Sequence, residues 1–120
     1  MLRKMNVGFR RLIVWQEAKK LAIKIYHVTK TFPQEEQFHL VTQLRRAATS
    51  IMANIAEGSA MQTRAHRDAF YGRARGSVAE VDAFVELGFD LGLIPETEAN
   101  DIADHCARLS YLLTQLMKSK

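Results

Sequence analysis

The sequence predicts an all-α fold, a single antiparallel four-helix bundle of up-down-up-down order spanning residues 1–120. Three observations predict it. Apolar residues recur at steps of three and four along four separate stretches. The connections between those stretches are short, which makes consecutive helices antiparallel neighbours. Proline and glycine are sparse, 2 and 6 in 120 residues, which argues against a strand-and-turn fold, and a chain that is 48% hydrophobic can bury one core.

The first helix is expected over residues 13–31, where Ala18, Leu21, Ala22, Ile25, Val28 and Phe32 form the apolar seam. Pro33 suits a first helical position, and Glu35 and Glu36 would lie at the positive end of the helix dipole, so the second helix is expected over 34–57. Its seam is Val41, Leu44, Ala48, Ile51 and Ile55, and Gly58 reads as its stop. Thr63 is a candidate N-cap for the third helix, expected over 64–91. Phe70, Ala74, Ser77, Val81, Phe84, Gly88 and Leu91 step by four and three along it, and Gly92 ends it. Pro95, with Glu96 and Glu98, opens the fourth helix, expected over 95–117 with Ile102, Cys106, Leu109, Leu113 and Leu116 on its seam. The sequence contains neither an internal repeat nor a second domain.

No apolar run approaches the ~20 residues that span a bilayer, and Met1 to Phe9 is basic without the apolar centre of a signal peptide. The lone Cys106 excludes an intrachain disulfide. These features lead to the expectation of a soluble, cytoplasmic protein with no membrane partner.

Charge is unevenly placed. Residues 1–75 hold 14 Lys and Arg against 5 Asp and Glu, a balance of +9, whereas residues 76–120 hold 3 against 8, a balance of −5. Arg3, Lys4, Arg10 and Arg11 crowd the N-terminus; Arg64, Arg67, Arg73 and Arg75 crowd the start of the third helix. Such clusters suit a phosphate-binding surface, or else plain solvated faces, or a basic patch that meets the acidic last helix of a neighbouring copy. Aromatics spaced along a basic strand, the usual platform for single strands, are absent.

Catalytic patterns are missing. The serines lack a glycine-bracketed elbow, and no glycine loop cradles phosphate. Glu36 and His39 have the Glu-x-x-His spacing of di-iron bundles, but the second copy that such a site requires is absent. Asp101 and His105, at i and i+4, are read as solvated surface, and Cys106 as a small core residue. The expectation is a non-enzyme with no cofactor and no bound metal.

A polar stripe runs beside the second seam: Arg46, Ser50, Asn54 and Glu57 share one helix face. Arg73, Ser77 and Glu80 do the same on the third helix. If the hairpin turns near residues 60–62, Arg46 lies roughly level with Gly76 and within reach of Glu80, which predicts an ion pair. Glu57 and Arg75 are then offset by roughly 15 Å at ~1.5 Å per residue, too far to pair except between subunits. Fixing helix register accounts for this stripe better than a ligand pocket does, because the arginines have carboxylates nearby.

At these residues the chain resembles the four-helix bundle proteins named after the intervening sequences of bacterial 23S ribosomal RNA genes. The resemblance runs from Leu12–Ala18 through Tyr26, Phe32-Pro33 and Gln43–Ala47. It is strongest at Ser50–Gly58 and Ala74–Glu80. Met52 stands where that family usually carries proline, and His39 where it usually carries glycine. The resemblance implies a homo-oligomer, a homopentamer, of unsettled biological role. Distant relatives of similar shape act as accessory proteins that bind a reverse transcriptase and nucleic acid through a basic ring.

Together these readings make the chain an oligomeric interaction protein that binds RNA or DNA phosphates. Lys4, Arg10, Arg11, Arg64 and Arg67 are the candidate contacts. Arg46, Ser50, Asn54, Glu57, Arg75, Ser77 and Glu80 form a structural or interfacial polar network. The alternative is a structural or protein-docking ring without nucleic acid, with Trp15 and Tyr71 on the surface that holds the partner.

Overall fold

The structure, a computed structural model, describes residues 8–118, and every regular element among them is helical. A short 3-10 turn at Gly8–Arg11 leads into α1 (Ile13–Thr29). A second 3-10 turn at Gln34–Glu36 precedes α2 (Leu40–Ser59), followed by α3 (Arg64–Asp90) and α4 (Glu96–Lys118). Each helix packs against two neighbours, α1 on α2 and α4, and α3 on α2 and α4, in the expected up-down-up-down order.

The first departure is at the start of α2. The stretch from Pro33 to His39 is not α-helical, and Phe38 within it is 88% exposed. The apolar seam explains this. Phe32 is the last core residue of the first segment, and none follows until Leu40, so a helix over 34–39 would have nothing to bury. Glu35 and Glu36 therefore belong to the 3-10 turn, and Thr42 donates back to the Gln37 carbonyl at 2.6 Å to hold the entry.

The second departure concerns two glycines. Gly58 does not end α2, which runs on to Ser59; it is buried, and a Cβ there would sit 2.8 Å from Tyr71 Cε1 and 3.0 Å from Phe70 Cβ. Its missing side chain lets α2 and α3 approach near their turn. Gly92 does end α3, at φ 77°. The Leu93 N–H donates to the Gly88 carbonyl at 2.8 Å and the Gly92 N–H to that of Phe89 at 2.9 Å, the paired bonds of a Schellman cap. Thr63 caps α3 as expected, its Oγ1 accepting from the His66 N–H at 3.2 Å.

Leu21, Ile25, Leu44, Ile51, Ile55, Val81, Ile102, Leu109 and Leu113 lie at the centre of the core with almost no exposure. On α3 the buried set is Tyr71, Ala74, Ser77, Val78, Val81, Val85 and Gly88, wider than and rotated from the expected heptad. Phe70 and Phe84 are half-buried, and Leu91 is exposed. A helix squeezed between two partners buries a stripe broader than a single coiled-coil seam. Tyr71 is consequently core, which removes it from the surface expected to hold a partner protein, and Trp15 is half-buried.

Candidate nucleic-acid interface

The antiparallel order brings the start of α1, the end of α2, the start of α3 and the end of α4 to one end of the bundle. Arg64 Nη2 donates to the Met117 carbonyl at 2.6 Å, which ties the first residue of α3 to the last turn of α4. The 3-10 turn carrying Arg10 and Arg11 packs on α1 and α2 at the same end, and Gln16 Nε2 fixes it by donating to the Arg10 carbonyl at 2.9 Å. Arg10, Arg11, Arg64, Arg67 and Lys118 thus share one end, with Glu57 and Asp68 the carboxylates beside them. Lys4 lies outside the described residues.

The other end is acidic. The end of α1, the entry to α2 and the α3–α4 connection meet there with Glu35, Glu36, Asp90, Glu96 and Glu98. The charge imbalance seen along the sequence therefore becomes an axial polarity of the folded bundle.

The four described arginines of the basic end differ in commitment. Arg11 is exposed. The Arg10 guanidinium lies over the Phe9 ring, 4.5 Å from its centroid. Arg64 also pairs with Asp68 at 3.5 Å, both partners remaining partly open to solvent. Arg67 is half-buried, and its Nη1 donates to the Met61 and Gln62 carbonyls at 3.2 and 3.0 Å. Arg67 closes the α2–α3 turn while its charge stays at this end.

The polar stripe divides into two parts. Ser77 Oγ donates to Ser50 Oγ across the hairpin at 3.0 Å, and Asn54 Nδ2 donates to both the Ser50 carbonyl and its Oγ at 2.9 and 3.0 Å. Ser50 opposite Ser77, Gly58 against Tyr71 and Gly88 beside Leu40 all centre the hairpin near residue 64 rather than 60–62. That shift slides α3 by about six residues, roughly 9 Å at ~1.5 Å per residue. The expected Arg46–Glu80 ion pair does not form: Arg46 and Glu80 are exposed and share no contact within 4.0 Å. They flank the seam where water already solvates both charges, and pairing there gains little. Glu57 is exposed as well, and Arg75 turns to α4, its Nη1 donating to Thr114 Oγ1 at 3.1 Å.

Sequence reasoning missed two polar clusters. Thr29 is fully buried and accepts from Arg45 Nε at 3.0 Å, while the Arg45 guanidinium stacks 4.5 Å from the Tyr26 centroid, so α1 and α2 are locked near the acidic end. Between α1 and α4, Glu17 faces Lys20 at 3.2 Å, His105 at 3.3 Å and Arg108 at 4.0 Å, and Lys24 pairs with Asp101 at 2.9 Å. His105 is buried rather than solvated, and its Nε2 makes no hydrogen bond, the approach to Glu17 being misaligned. Burial, reinforced by Lys24, pushes the His105 pKa below 6.5 against the pull of Glu17 and Asp101. Burial would raise the Glu17 carboxyl, but the Lys20 hydrogen bond and the charges of Lys20 and Arg108 outweigh it, so its pKa falls below 4.5. Only the charged pattern Glu17-x-x-Lys20 hinted at this cluster.

Among the described residues no group of three His, Cys, Asp or Glu side chains could hold a metal ion. Glu36 and His39 lie in the 3-10 and turn segment that leads into α2 rather than on an α-helix of the bundle. A groove of about 560 Å³ between α3 and α4 is lined by Gly72, Arg75, Gly76, Asp82 and Cys106. Burial, with Asp82 nearby, pushes the Cys106 thiol up to about 12, so it carries no thiolate at neutral pH. No described helix is long and apolar enough to cross a membrane.

A family profile for the 23S rRNA-intervening sequence proteins matches residues 10–115. Among solved structures, a protein of unknown function from the S23 ribosomal protein family of Bacteroides thetaiotaomicron superposes with a TM-score of 0.82. It is 25% identical, and the match covers 89% of this chain and 96% of that one. No curated protein matches. The matched span takes in α1 to α3, all but the last turn of α4, the Ser50–Ser77 hairpin and the four terminal arginines Arg10, Arg11, Arg64 and Arg67; the chain belongs to the 23S rRNA-intervening sequence protein family.

Proposed function

We propose that this protein is a non-enzymatic, oligomeric interaction module of the cytoplasm that binds RNA or DNA through the phosphates. The observation that carries the reading is the axial charge polarity, which gathers Arg10, Arg11, Arg64, Arg67 and Lys118 at one end of the bundle. A polyanion meeting that end releases its condensed counterions, which supplies affinity without sequence recognition. Self-association, as the homopentamer that family resemblance implies, would use the α2–α3 face. Arg46, Glu57 and Glu80 stand exposed there with no ion-pair partner among the described residues, which leaves them open to charges of a neighbouring copy.

Protein docking is the second reading, and one observation favours it: the acidic end leaves Phe38 at 88% and Leu91 at 56% exposure. Filter binding at low salt separates the two. Retention of RNA or DNA that collapses as salt rises supports the phosphate reading; absence of retention, or retention indifferent to salt, overturns it.

A further inference from the structure

We propose that the basic end grips the backbone of a double helix rather than the bases of a single strand, a refinement that rests on the phosphate-binding reading above.

Single-strand binders offer aromatic faces on which successive bases stack. Phe70, about two turns into α3, is half-buried with the Arg73 guanidinium 4.8 Å from its centroid, and the aromatic rings with apolar faces nearer the basic end, Phe9 and Trp15, are both already engaged. They meet edge to face, with centroids 4.9 Å apart and planes at 64°. Arg10 covers Phe9 at 4.5 Å, and the Lys19 ammonium covers Trp15 at 5.7 Å. A base would have to displace a cation from either ring and give up the cation–π contact. His66 contributes one exposed imidazole there, and Tyr111, 62% exposed, stands about two turns back along α4. These are isolated rings, not a row.

The cations, by contrast, are carried on fixed backbone. Gln16 holds the turn that carries Arg10 and Arg11, Asp68 and the Met117 carbonyl hold the Arg64 side chain, and Arg11 and Lys118 extend exposed from the turn and from the last residue of α4. They sit on the ends of different helices, and neighbouring axes in a bundle are about 8–10 Å apart. Phosphates face each other across duplex grooves roughly 6 and 12 Å wide. Backbone anchors spaced at that scale match a duplex, whose phosphates are fixed too. A single strand has no set spacing to match.

Fluorescence anisotropy on the full chain tests this with duplex DNA, duplex RNA and their separated strands, each of about 20 nucleotides, at ~50 mM salt. Emission from Trp15, the only tryptophan, is recorded in parallel. The expected result is binding of at least one duplex about tenfold tighter than its strands, with Trp15 emission unaltered by single strands. Preference for DNA over RNA duplex, or the reverse, names which helix geometry fits. Equal or tighter single-strand binding with quenched Trp15 overturns the duplex preference while leaving the phosphate reading standing. No binding to any of the four overturns both.

Discussion

At the scale of single residues, burial decides roles that spacing alone assigns wrongly. Gly58 reads as a helix stop in the sequence, because glycine commonly ends helices; in the fold it is a packing residue, since a Cβ would enter the Tyr71 ring at 2.8 Å. Gly58→Ala is expected to lower stability by about 1–3 kcal/mol through overpacking, read as a lower urea midpoint with an unchanged m-value. A neutral or stabilising effect would show that α2 does not need its close approach to α3. His105, with Asp101 at i−4, reads as solvated helix surface in the sequence, whereas it lies buried between α1 and α4. With its folded pKa below the unfolded value of 6.5, the unfolded chain binds protons first, so stability falls as pH drops below about 6.5. Glu17, held below 4.5 by Lys20 and Arg108, adds a further loss as pH falls through 4.5 and below. Urea midpoints should therefore decline from pH 7.5 to 5.5, and His105→Gln should flatten that decline; an identical decline in the variant would exclude His105 as its source.

At the scale of elements, both ends of α3 and the start of α4 are legible to within a residue or so, because Thr63, Gly92 and Pro95 carry backbone chemistry that local sequence dictates. The entry to α2 was not. Proline and two glutamates imitate a helix start at 34, yet only a core seam can sustain one, and the seam begins at Leu40. Hairpin register was also out of reach. Counting from the loop centre misplaces α3 by about six residues, because the level of two helices is set by packing, here by Gly58 on Tyr71 and Ser50 on Ser77. The charges left exposed on the α2–α3 face yield a prediction at this scale. Glu57→Arg should leave helix content unchanged by circular dichroism and lower the oligomeric mass in sedimentation equilibrium. An unaltered mass would remove Glu57 from any subunit interface.

At the scale of the whole molecule, the sequence already held the charge imbalance and the candidate arginines, but not their meeting at one end. Arg11 and Arg64 are far apart in the chain, and only the alternation of four antiparallel helices joins them, while the same alternation sends Glu35, Glu96 and Glu98 to the far end. It also separated Arg67, spent on closing the α2–α3 turn, from Arg11, which faces solvent. The most direct test of the phosphate-binding account is the salt dependence of duplex binding for the natural chain, for Arg10→Glu/Arg11→Glu and for Lys30→Glu at the opposite end. With about four terminal cations each neutralising one phosphate, log affinity should fall against log salt with a slope of at least about −3. The arginine pair variant should flatten that slope by about 2, and Lys30→Glu should leave it unchanged. A slope near zero, or one that Lys30→Glu alters as much as the arginine pair does, would contradict the account.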